Sequence, residues 1–305
     1  MSEKESNMGI PRLVAGGVRV LPVPWQKMRV ANQIGKVVVR GREPRVLIGK
    51  TTAGFRMRLN LQDTFQRVIY FAGTYEPSAT ELFTQIIRSG DTVIDGGANI
   101  GYFTLLAAKL VGNDGTVHSF EPITETYSAL QANVALNQFS SVHANCEALS
   151  DHSGTLEFEV PLDASTGRAL GWAATQVLMG RGPTVSVTAR TLDEYAASEG
   201  IDHIRLVKLD LEGGELAAVE GMQRLLGAGR IDYLITEVNS FLLDPLGIPH
   251  DALRKTLAGL GYRCFQIREA SFGHPKLVDP TKQRHPDRDA EYLFVAKNVD
   301  VPGKS

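Results

Sequence analysis

From Thr92 onward, the hydrophobic positions of the chain alternate between two kinds of spacing. Short apolar runs such as "TVID" and "IDYLITEV" are typical of strands buried on both faces. Between these runs, apolar residues recur every three or four positions, as in amphipathic helices. Repeated alternation of strand and helix predicts an α/β fold with a parallel, doubly wound sheet. Seven strands are predicted, at 92–95, 116–121, 141–149, 204–211, 231–238, 262–268 and 291–298.

The region before this alternation has a different pattern. Between Val30 and Tyr70, the short apolar runs "GKVVVRG", "RVLIGK" and "FRMRLN" are separated by glycine and arginine, which predicts strands. We therefore expect residues 1–72 to form a β-rich N-terminal extension that contributes substrate or dimer contacts. Residues 73–300 are expected to form the main domain. The helix in "YEPSATELFTQIIRSGD" is expected to begin at Ser78 as its N-cap and to stop at Gly90.

A glycine-containing stretch at about 161–183 interrupts the alternation and predicts an insertion over the ligand site. Its Arg168, Trp172 and Arg181 are candidates to contact a sugar ring or an anionic group, or else are ordinary loop residues. In the late polar connection, His274, His285 and Asp287 are interpreted as solvated loop residues.

Charge and composition exclude several classes of protein. Lys and Arg number 32 against 34 Asp and Glu, so no global field indicates a nucleic acid or an anionic lipid as partner. Cys146 and Cys264 both lie in predicted strands, which favours buried thiols over a disulfide. The first residues, "MSEKESNMGIPRLVAGG", lack the apolar core of a secretory signal, and no run approaches the ~20 apolar residues of a membrane span. We expect a cytoplasmic protein.

The stretch "DTVIDGGANIGYFT" joins the first core strand to a helix through residues with little side chain. Glycines lack β-carbons, so a ligand can approach the backbone closely at Gly96, Gly97 and Gly101. The following helix begins with unpaired N–H groups that favour a carboxylate, and Asp95 can face an ammonium group. An amino-acid moiety matches both features. A tight turn without a ligand is the alternative interpretation.

Glu121 ends the second core strand about two dozen residues further on, in "HSFEP". A carboxylate at that position can accept both hydroxyls of a ribose, as acidic residues do in dinucleotide-binding folds. An amino-acid end and a ribose in one crevice indicate S-adenosylmethionine. A nicotinamide dehydrogenase is disfavoured, because Ala98 replaces the middle glycine of its fingerprint and Asp95 would repel a pyrophosphate. A cofactor-binding protein without turnover is the other alternative.

Six stretches in this order, "GDTVIDGGANIGYFT", "FEP", "EALSD", "TLDEY", "VKLDLEGGE" and "ITEVN", resemble the FkbM family of S-adenosylmethionine-dependent methyltransferases. The resemblance runs from about Gly73 to Asn239. It implies a Rossmann-like class I methyltransferase fold, with a mostly parallel seven-stranded sheet whose last strand is antiparallel. Family members of this kind are mostly O-methyltransferases that act on sugar or polyketide hydroxyls.

The resemblance also implies the cofactor contacts, with the methionine end near Asp95, the ribose on Glu121 and the adenine beside Glu147 and Ala148. Tyr75 and Glu76 either close over the cofactor or form a turn that leads into a helix. The residues expected at the cofactor are Tyr75, Glu76, Asp95, Gly96, Gly97, Ala98, Asn99, Gly101, Tyr102, Glu121, Pro122, Glu147, Ala148, Asp210 and Glu212.

The motif "VKLDLEGGE" carries the candidate catalytic residues. On a strand, Lys208, Asp210 and Glu212 share one face, and three charges there are costly unless they pair or meet a ligand. Asp210, Glu237 and Lys208 are the expected catalytic residues, without a choice of general base. A lysine–carboxylate network that only holds this corner together is the alternative for the motif. A divalent metal on these carboxylates is conceivable but disfavoured, because no compact ligand motif is present.

We therefore expect an S-adenosylmethionine-dependent O-methyltransferase that acts on a hydroxylated small molecule or a saccharide. The preferred acceptor is a sugar hydroxyl in a glycan, a glycolipid or a glycosylated natural product. A polyketide or other non-sugar hydroxyl is the alternative. Dehydrogenase activity and cofactor binding without catalysis are less favoured, and a homo-oligomer is compatible with the sequence.

Overall fold

The structure is a computed structural model that describes residues 9–19, 29–33, 35, 37, 46–160, 180, 182–269, 275–282 and 289–303. Its strands are β1 (Val46–Lys50), β2 (Arg56–Asn60), β3 (Thr92–Gly96), β4 (Thr116–Phe120), β5 (Val142–Asn145), β6 (Ala148–Leu149), β7 (Gly154–Glu159), β8 (Thr184–Arg190), β9 (Ile204–Leu209), β10 (Ile231–Val238), β11 (Arg263–Glu269), β12 (Pro275–Val278) and β13 (Ala290–Val295). Its helices are α1 (Gly9–Arg19), α2 (Thr64–Ala72), α3 (Pro77–Ile86), α4 (Tyr102–Val111), α5 (Thr124–Asn137), α6 (Leu192–Glu199), α7 (Glu215–Glu220), α8 (Gln223–Gly227), α9 (Ser240–Leu246) and α10 (Ala252–Gly259), with a 3₁₀ turn at Pro280–Lys282.

The main sheet has the order β12-β11-β13-β10-β9-β3-β4-β5. Strands β5, β4, β3, β9 and β10 are parallel neighbours, whereas β13 runs antiparallel to both β10 and β11. This confirms the predicted class I methyltransferase fold. Strand β12 adds an eighth, antiparallel member at the edge. The strand order reverses between β3 and β9, and at such a point the carboxyl ends of the strands open a crevice for a ligand.

Alternate residues of the central strands enter two hydrophobic layers. Val93, Leu206 and Ile235 pack with α2, α3 and α4 on one face of the sheet. Ile94 and Val207 pack with α6, α7, α8 and α10 on the other face. Burial on both faces explains why the central strands are nearly continuous apolar runs in the sequence.

The prediction of a β-rich N-terminal extension is only partly right. Strands β1 and β2 form an antiparallel pair, but α1, α2 and residues 29–33 are helical. The run "VIYFA" is compatible with a strand or a buried helix, and local capping decides the outcome. Asp63 accepts a hydrogen bond from the backbone N–H of Gln66, 2.9 Å, and Gly73 ends α2 in the left-handed conformation. The "GKVVVRG" stretch lies mostly outside the described residues.

Three predicted boundaries also differ from the structure. Helix α3 begins after Glu76, with Pro77 in its first turn, so Ser78 is not the N-cap, and the helix ends at Ile86 rather than near Gly90. Proline at the first helical position explains the earlier start. The predicted strand at 141–149 divides into β5 and β6. β6 pairs with β8 in a separate three-stranded sheet.

Most of the predicted insertion lies outside the described residues, including Arg168, Trp172 and Arg181. The same holds for His274, His285 and Asp287 in the late connection. Among the described helices, none is both long enough and apolar enough to cross a membrane.

The hairpin of β1 and β2 is attached to the main domain by side-chain amides of α5. Asn137 Oδ1 accepts from the backbone N–H of Arg56, 2.8 Å, and its Nδ2 donates to the Arg56 carbonyl, 2.7 Å. Asn133 Oδ1 accepts from the backbone N–H of Arg58, 2.7 Å. Because these amides pair with backbone groups of β2 that β1 does not reach, α5 covers the outer edge of the hairpin.

Candidate functional site

A cavity of about 1410 Å³ opens at the carboxyl ends of β3, β4, β9 and β10. Most of the residues predicted from the sequence line it. They are Tyr75, Glu76, Asp95, Gly97, Ala98, Asn99, Tyr102, Glu121, Pro122, Glu147, Ala148, Lys208, Asp210, Glu212 and Glu237. Gly96 and Gly101 do not belong to the lining.

The loop after β3 is held against the neighbouring strands by its backbone. The N–H groups of Gly97 and Ala98 both donate to the carbonyl of Phe120, at 3.0 and 2.9 Å. Gly97 has φ of 75°, and a β-carbon there would lie 1.9 Å from the carbonyl oxygen of Asp210. The close approach that requires glycine at Gly97 is therefore made by the protein's own backbone. The prediction that a ligand makes this approach is wrong for Gly97.

The two other glycines of the loop serve helix and strand packing. A β-carbon on Gly101 would lie 2.4 Å from Leu130 Cδ1, and this residue is the left-handed N-cap of α4. A β-carbon on Gly96 would lie 3.0 Å from Leu209 Cδ2. Gly101 lets Leu130 of α5 pack against the start of α4, and Gly96 lets Leu209 of β9 pack against β3.

Asp95 is 1% exposed and connects β3 to the first turn of α4. Its Oδ2 accepts a hydrogen bond from Thr104 Oγ1 at 2.6 Å. Burial raises the pKa of Asp95, although Lys208 and the Thr104 hydroxyl act in the opposite direction. The side chain lines the cavity, so a cationic group bound there would favour its ionised form.

Glu121 is held rigidly at the end of β4. Its Oε2 accepts from the backbone N–H of Asn99 and its Oε1 from that of Ile123, each at 3.0 Å. Burial raises its pKa to about 7, although the two N–H groups lower it. Each carboxylate oxygen can accept a second hydrogen bond. The position is compatible with a ribose diol, and the ribose contact stays a prediction.

Glu147 and Ala148 line the part of the cavity beside β5 and β6, next to Phe120 and Phe158. Glu147 Oε2 is buried, makes no hydrogen bond within the described part of the chain, and lies 3.6 Å from Arg190 Nε. The apolar residues Phe120 and Phe158 in this part of the cavity fit the flat ring of adenine. Together with Glu121, this set of groups fits S-adenosylmethionine.

Lys208 lies among the carboxylates of Glu76, Asp95, Asp210 and Glu237, which together form the acidic corner of the cavity. It is 4% exposed, its Nζ lies 2.9 Å from Asp210 Oδ2, and it stands 4.5 Å over the Phe103 ring. Burial lowers the pKa of Lys208, but the carboxylates of Asp210, Glu76 and Asp95 outweigh this effect and the net pKa is raised. Lys208 therefore stays protonated, which rules it out as a base at neutral pH.

The prediction that Glu212 continues the strand beyond Asp210 is wrong. β9 ends at Leu209, and Glu212 has φ of 49° in the following turn. The backbone N–H of Asp210 donates to the Gly96 carbonyl, 3.0 Å, as the last link between β9 and β3, and the positive φ of Glu212 and of Gly213 (101°) then turns the chain. Burial, Asp210 and other carboxylates raise the pKa of Glu212 to about 8.

Glu237 points its carboxylate into the cavity from β10 and is exposed there. Desolvation and the charges of Asp210 and Glu76 raise its pKa to about 7. In the antiparallel register, Glu291 of β13 lies directly opposite Glu237. Burial and the charge of Glu76 raise the pKa of Glu291 to about 8.

Two acidic residues of this region were missed in the sequence. Glu291 carries no motif, and the only signal is its place at the start of a late apolar strand. Glu215 closes the turn after β9, since its carboxylate accepts from the backbone N–H groups of Leu211, 2.8 Å, and Gly213, 3.1 Å. The spacing in "LEGGE" would have indicated this turn.

Backbone strain is concentrated at the same cavity. Five described non-glycine residues have positive φ, and three of them, Glu76, Asn99 and Glu212, line the cavity. Such conformations cost of order 1–3 kcal/mol each and persist where the surroundings hold them, often at ligand sites. Within the described residues, no group of three or more His, Cys, Asp or Glu side chains is arranged to hold a metal ion.

Residues 95–264, more than half of the chain, match the family described as "Methyltransferase FkbM domain". The chain belongs to the FkbM methyltransferase family. Its cofactor is S-adenosylmethionine, for which the cavity provides the fitting groups described above. The dehydrogenase alternative is thereby excluded.

Two curated relatives match part of this chain. The "31-O-demethyl-FK506 methyltransferase FkbM" of Streptomyces tacrolimicus is 31% identical over 161 residues, which cover 45% of this chain and 61% of the relative. "Methyltransferase sdnD" of Sordaria araneosa is 28% identical over 161 residues, with 45% and 62% covered. The chain thus matches about three fifths of the length of these curated relatives.

Among solved structures, a methyltransferase FkbM from Methylobacillus flagellatus is similar with a TM-score of 0.42 and 15% identity. The similarity covers 89% of this chain and 60% of that chain. An S-adenosylmethionine-dependent O-methyltransferase from Thermotoga maritima has a TM-score of 0.39 and 15% identity, with 88% and 83% covered. Similarity at this level supports no further conclusion.

Proposed function

We propose that this FkbM methyltransferase transfers a methyl group to a hydroxyl oxygen, preferably a sugar hydroxyl of a glycan, a glycolipid or a glycosylated natural product. The observation that carries the proposal is the position of Glu237, which lines the cavity together with Asp210 and the cofactor residues; desolvation and the charges of Asp210 and Glu76 raise its pKa to about 7. A base with a pKa near the working pH is best suited to take a proton from a hydroxyl as the oxygen is methylated.

S-adenosylmethionine supplies an electrophilic methyl group on a sulfonium. We assign the ribose to Glu121, whose two backbone N–H partners fix its orientation. We assign the adenine to the slot at Glu147 and Ala148, and the methionine end to the loop from Gly97 to Asn99. Much of the acceleration in such a transfer comes from holding the acceptor oxygen in line with the methyl group.

Three charged residues divide the remaining work. Glu237 accepts the proton of the acceptor hydroxyl. Lys208 stays protonated and keeps Asp210 ionised and oriented through the 2.9 Å ion pair. Asp210 then faces the reacting centre as a fixed negative charge, which favours a cationic sulfonium beside it. In this scheme, Asp210 and Lys208 position and polarise the site rather than transfer the proton.

Transfer to oxygen is further supported by the Streptomyces relative, whose name describes a methyl group on O-31 of FK506. The same name keeps a second candidate open, namely a polyketide or other non-sugar hydroxyl as the acceptor. A carboxylate base serves either alcohol.

The test is a transfer assay with S-adenosylmethionine labelled in its methyl group and a panel of neutral glycosides and non-sugar alcohols. Reactions run with and without EDTA, and NMR locates the new methyl group. We expect labelled methyl ethers that form in EDTA, and a rate of formation that falls by about 10²–10⁴-fold in Glu237→Gln. Methylation of nitrogen or carbon, or a wild-type rate in Glu237→Gln, would contradict the proposal.

A further inference from the structure

The cavity extends beyond the cofactor residues toward β2 and α2, and we call this part of the cavity the second lobe. Residues from the end of β2 to the start of α2 line this lobe, opposite the first turns of α5. The total volume of about 1410 Å³ exceeds the roughly 300–1,000 Å³ typical of a pocket for one small ligand. The cavity therefore has room for a cofactor and an acceptor. The lobe's N-terminal wall consists of Asn60, Gln62, Asp63, Thr64, Phe65 and Gln66.

A row of aromatic rings connects this lobe to the acidic corner. Phe65 meets Tyr75 edge to face, with ring centroids 4.4 Å apart at 89°. Tyr75 meets Phe103 at 6.3 Å, and Lys208 stands over Phe103. Both Phe65 and Tyr75 line the cavity. A molecule lying on Phe65 therefore extends toward Lys208 and the carboxylates around it.

The wall is preorganised by a buried arginine. Arg67 is 4% exposed and donates to the carbonyls of Leu61, 3.1 Å, and Gln62, 3.2 Å, and to Thr64 Oγ1, 3.0 Å. Asp63 caps α2 through the Gln66 N–H. The turn is thus fixed before a ligand arrives, which lowers the entropy lost on binding.

The charges of the lobe cancel. Its charged residues are Arg58, Asp63, Arg67 and Glu125, two of each sign, and Arg67 and Asp63 are engaged within the turn itself. The remaining wall groups are side-chain amides, a hydroxyl and an aromatic ring. This is the chemistry that recognises a neutral molecule with an apolar face and several hydroxyls.

We propose that this lobe is the acceptor site and binds a neutral pyranose ring, with Phe65 as its stacking platform and Gln62 and Thr64 as hydrogen-bonding groups. The proposal rests on the proposed O-methyltransferase function and deepens it by naming the acceptor class. The acidic corner disfavours an acidic sugar, because a carboxylate brought beside Asp210 and Glu237 would meet like charges.

The experiment measures binding without turnover, so that it stays separate from the assay of methyl transfer. Saturation-transfer NMR is recorded with methyl α-D-glucopyranoside and methyl α-L-rhamnopyranoside as probes, in the presence of S-adenosylhomocysteine. Methyl α-D-glucuronide serves as the acidic probe. We expect saturation transfer to at least one neutral pyranoside, about five- to ten-fold weaker binding in Phe65→Leu, and little transfer to the glucuronide.

Two further variants complete the design. Gln62→Ala removes a wall amide outside α2 and is expected to weaken the same probe. Phe241→Leu changes an aromatic residue that is 55% exposed on α9, outside the cavity lining, and is expected to leave binding unchanged. Calorimetry with S-adenosylhomocysteine checks that each variant is folded and binds the cofactor product as the wild type does.

The outcomes separate the two proposals. Equal pyranoside binding by wild type and Phe65→Leu, no pyranoside binding at all, or preference for the glucuronide would overturn the acceptor site, whatever the transfer assay shows. Phe65-dependent pyranoside binding supports the acceptor site. If such binding occurs without any methyl transfer to oxygen, the proposed function fails instead.

Discussion

The β-carbon that Gly97 lacks would lie 1.9 Å from the carbonyl oxygen of Asp210. One residue earlier, the Gly96 carbonyl accepts the Asp210 N–H at 3.0 Å. The loop assigned to the cofactor and the residue assigned to the reacting centre are therefore in direct backbone contact. A change at the end of β3 displaces the end of β9, and the reverse also holds.

We predict that Gly97→Ala lowers the affinity for S-adenosylmethionine at least about tenfold and destabilises the fold by about 1–3 kcal/mol, because the methyl group collides with backbone and φ is 75°. Calorimetry and urea unfolding measure the two effects. Gly259→Ala, in α10 with nothing within 4 Å of the added carbon, is the matched control. The control should be neutral or slightly stabilising, and wild-type cofactor affinity in Gly97→Ala would contradict the prediction.

Glu121→Ala is predicted to weaken S-adenosylmethionine binding by about ten- to a hundred-fold, because the buried carboxylate that we assign to the ribose hydroxyls is lost. Calorimetry gives the dissociation constant. Glu220→Gln, at an exposed position of α7, controls for the loss of one negative charge. Equal weakening in both variants would show that charge alone, and not the Glu121 contact, is responsible.

Glu237→Gln is predicted to lower kcat by about 10²–10⁴-fold while cofactor affinity stays within about twofold. In the wild type, kcat/KM should rise as pH increases through about 7, since the pKa of Glu237 is raised to about 7 and only the ionised form accepts a proton. The variant should lose this inflection. An unchanged pH profile in Glu237→Gln would assign the proton to another group.

Asp210→Asn is predicted to lose most turnover, because the site loses the negative charge assigned to the sulfonium and Lys208 loses its nearest counter-charge. Removing a partner from a buried pair costs about 3–5 kcal/mol. We expect a smaller loss of about 1–3 kcal/mol in the free energy of unfolding, because Asp210 is 30% exposed and Glu76 and Asp95 remain near Lys208. Lys208→Met combined with Asp210→Asn should cost less than the sum of the single changes. Strict additivity would show that the two side chains do not interact.

The free energy of unfolding of the cofactor-free protein is predicted to fall between pH 6.5 and pH 8. The carboxyl groups with pKa raised to between about 7 and 8 are Glu121, Glu212, Glu215, Glu237 and Glu291. In this window the folded state holds protons that the unfolded state has released, so a higher pH favours unfolding, by about 1.4 kcal/mol per pH unit for each proton of difference.

Urea unfolding at half-unit pH steps measures this slope, and Glu215→Gln should reduce it. His118, whose pKa burial lowers to about 4, acts in the opposite direction only below pH 6.5. A flat or rising curve above pH 6.5 would contradict the raised carboxyl pKa values.

The central sheet was readable from the sequence because its strands are buried on both faces and form uninterrupted apolar runs. Glu121 and Asp95 were readable because they end such runs. Helix α2 was not, since β-branched and aromatic residues such as Val68, Ile69 and Tyr70 suit a strand equally well and only the Asp63 cap distinguishes the two.

The structural role of an individual residue was harder to predict than its place at the cavity. Gly97 is required by a contact with a residue more than a hundred positions away, which no local pattern contains. Glu291 reaches the acidic corner only through the register of β13 on β10. Glu212 is predicted on the strand face because the alternation of charged and apolar residues continues past Leu209, where β9 ends.

Strand β13 is nearly the last element described, yet it lies inside the sheet, between β10 and β11. During synthesis, β11 has no neighbour linking it to the rest of the sheet until residue 295 has left the ribosome. A nascent chain that stalls earlier would leave the facing edges of β10 and β11 unpaired, and unpaired strand edges are sites for aggregation. Completion of the sheet in this protein therefore depends on the strand that is synthesised last.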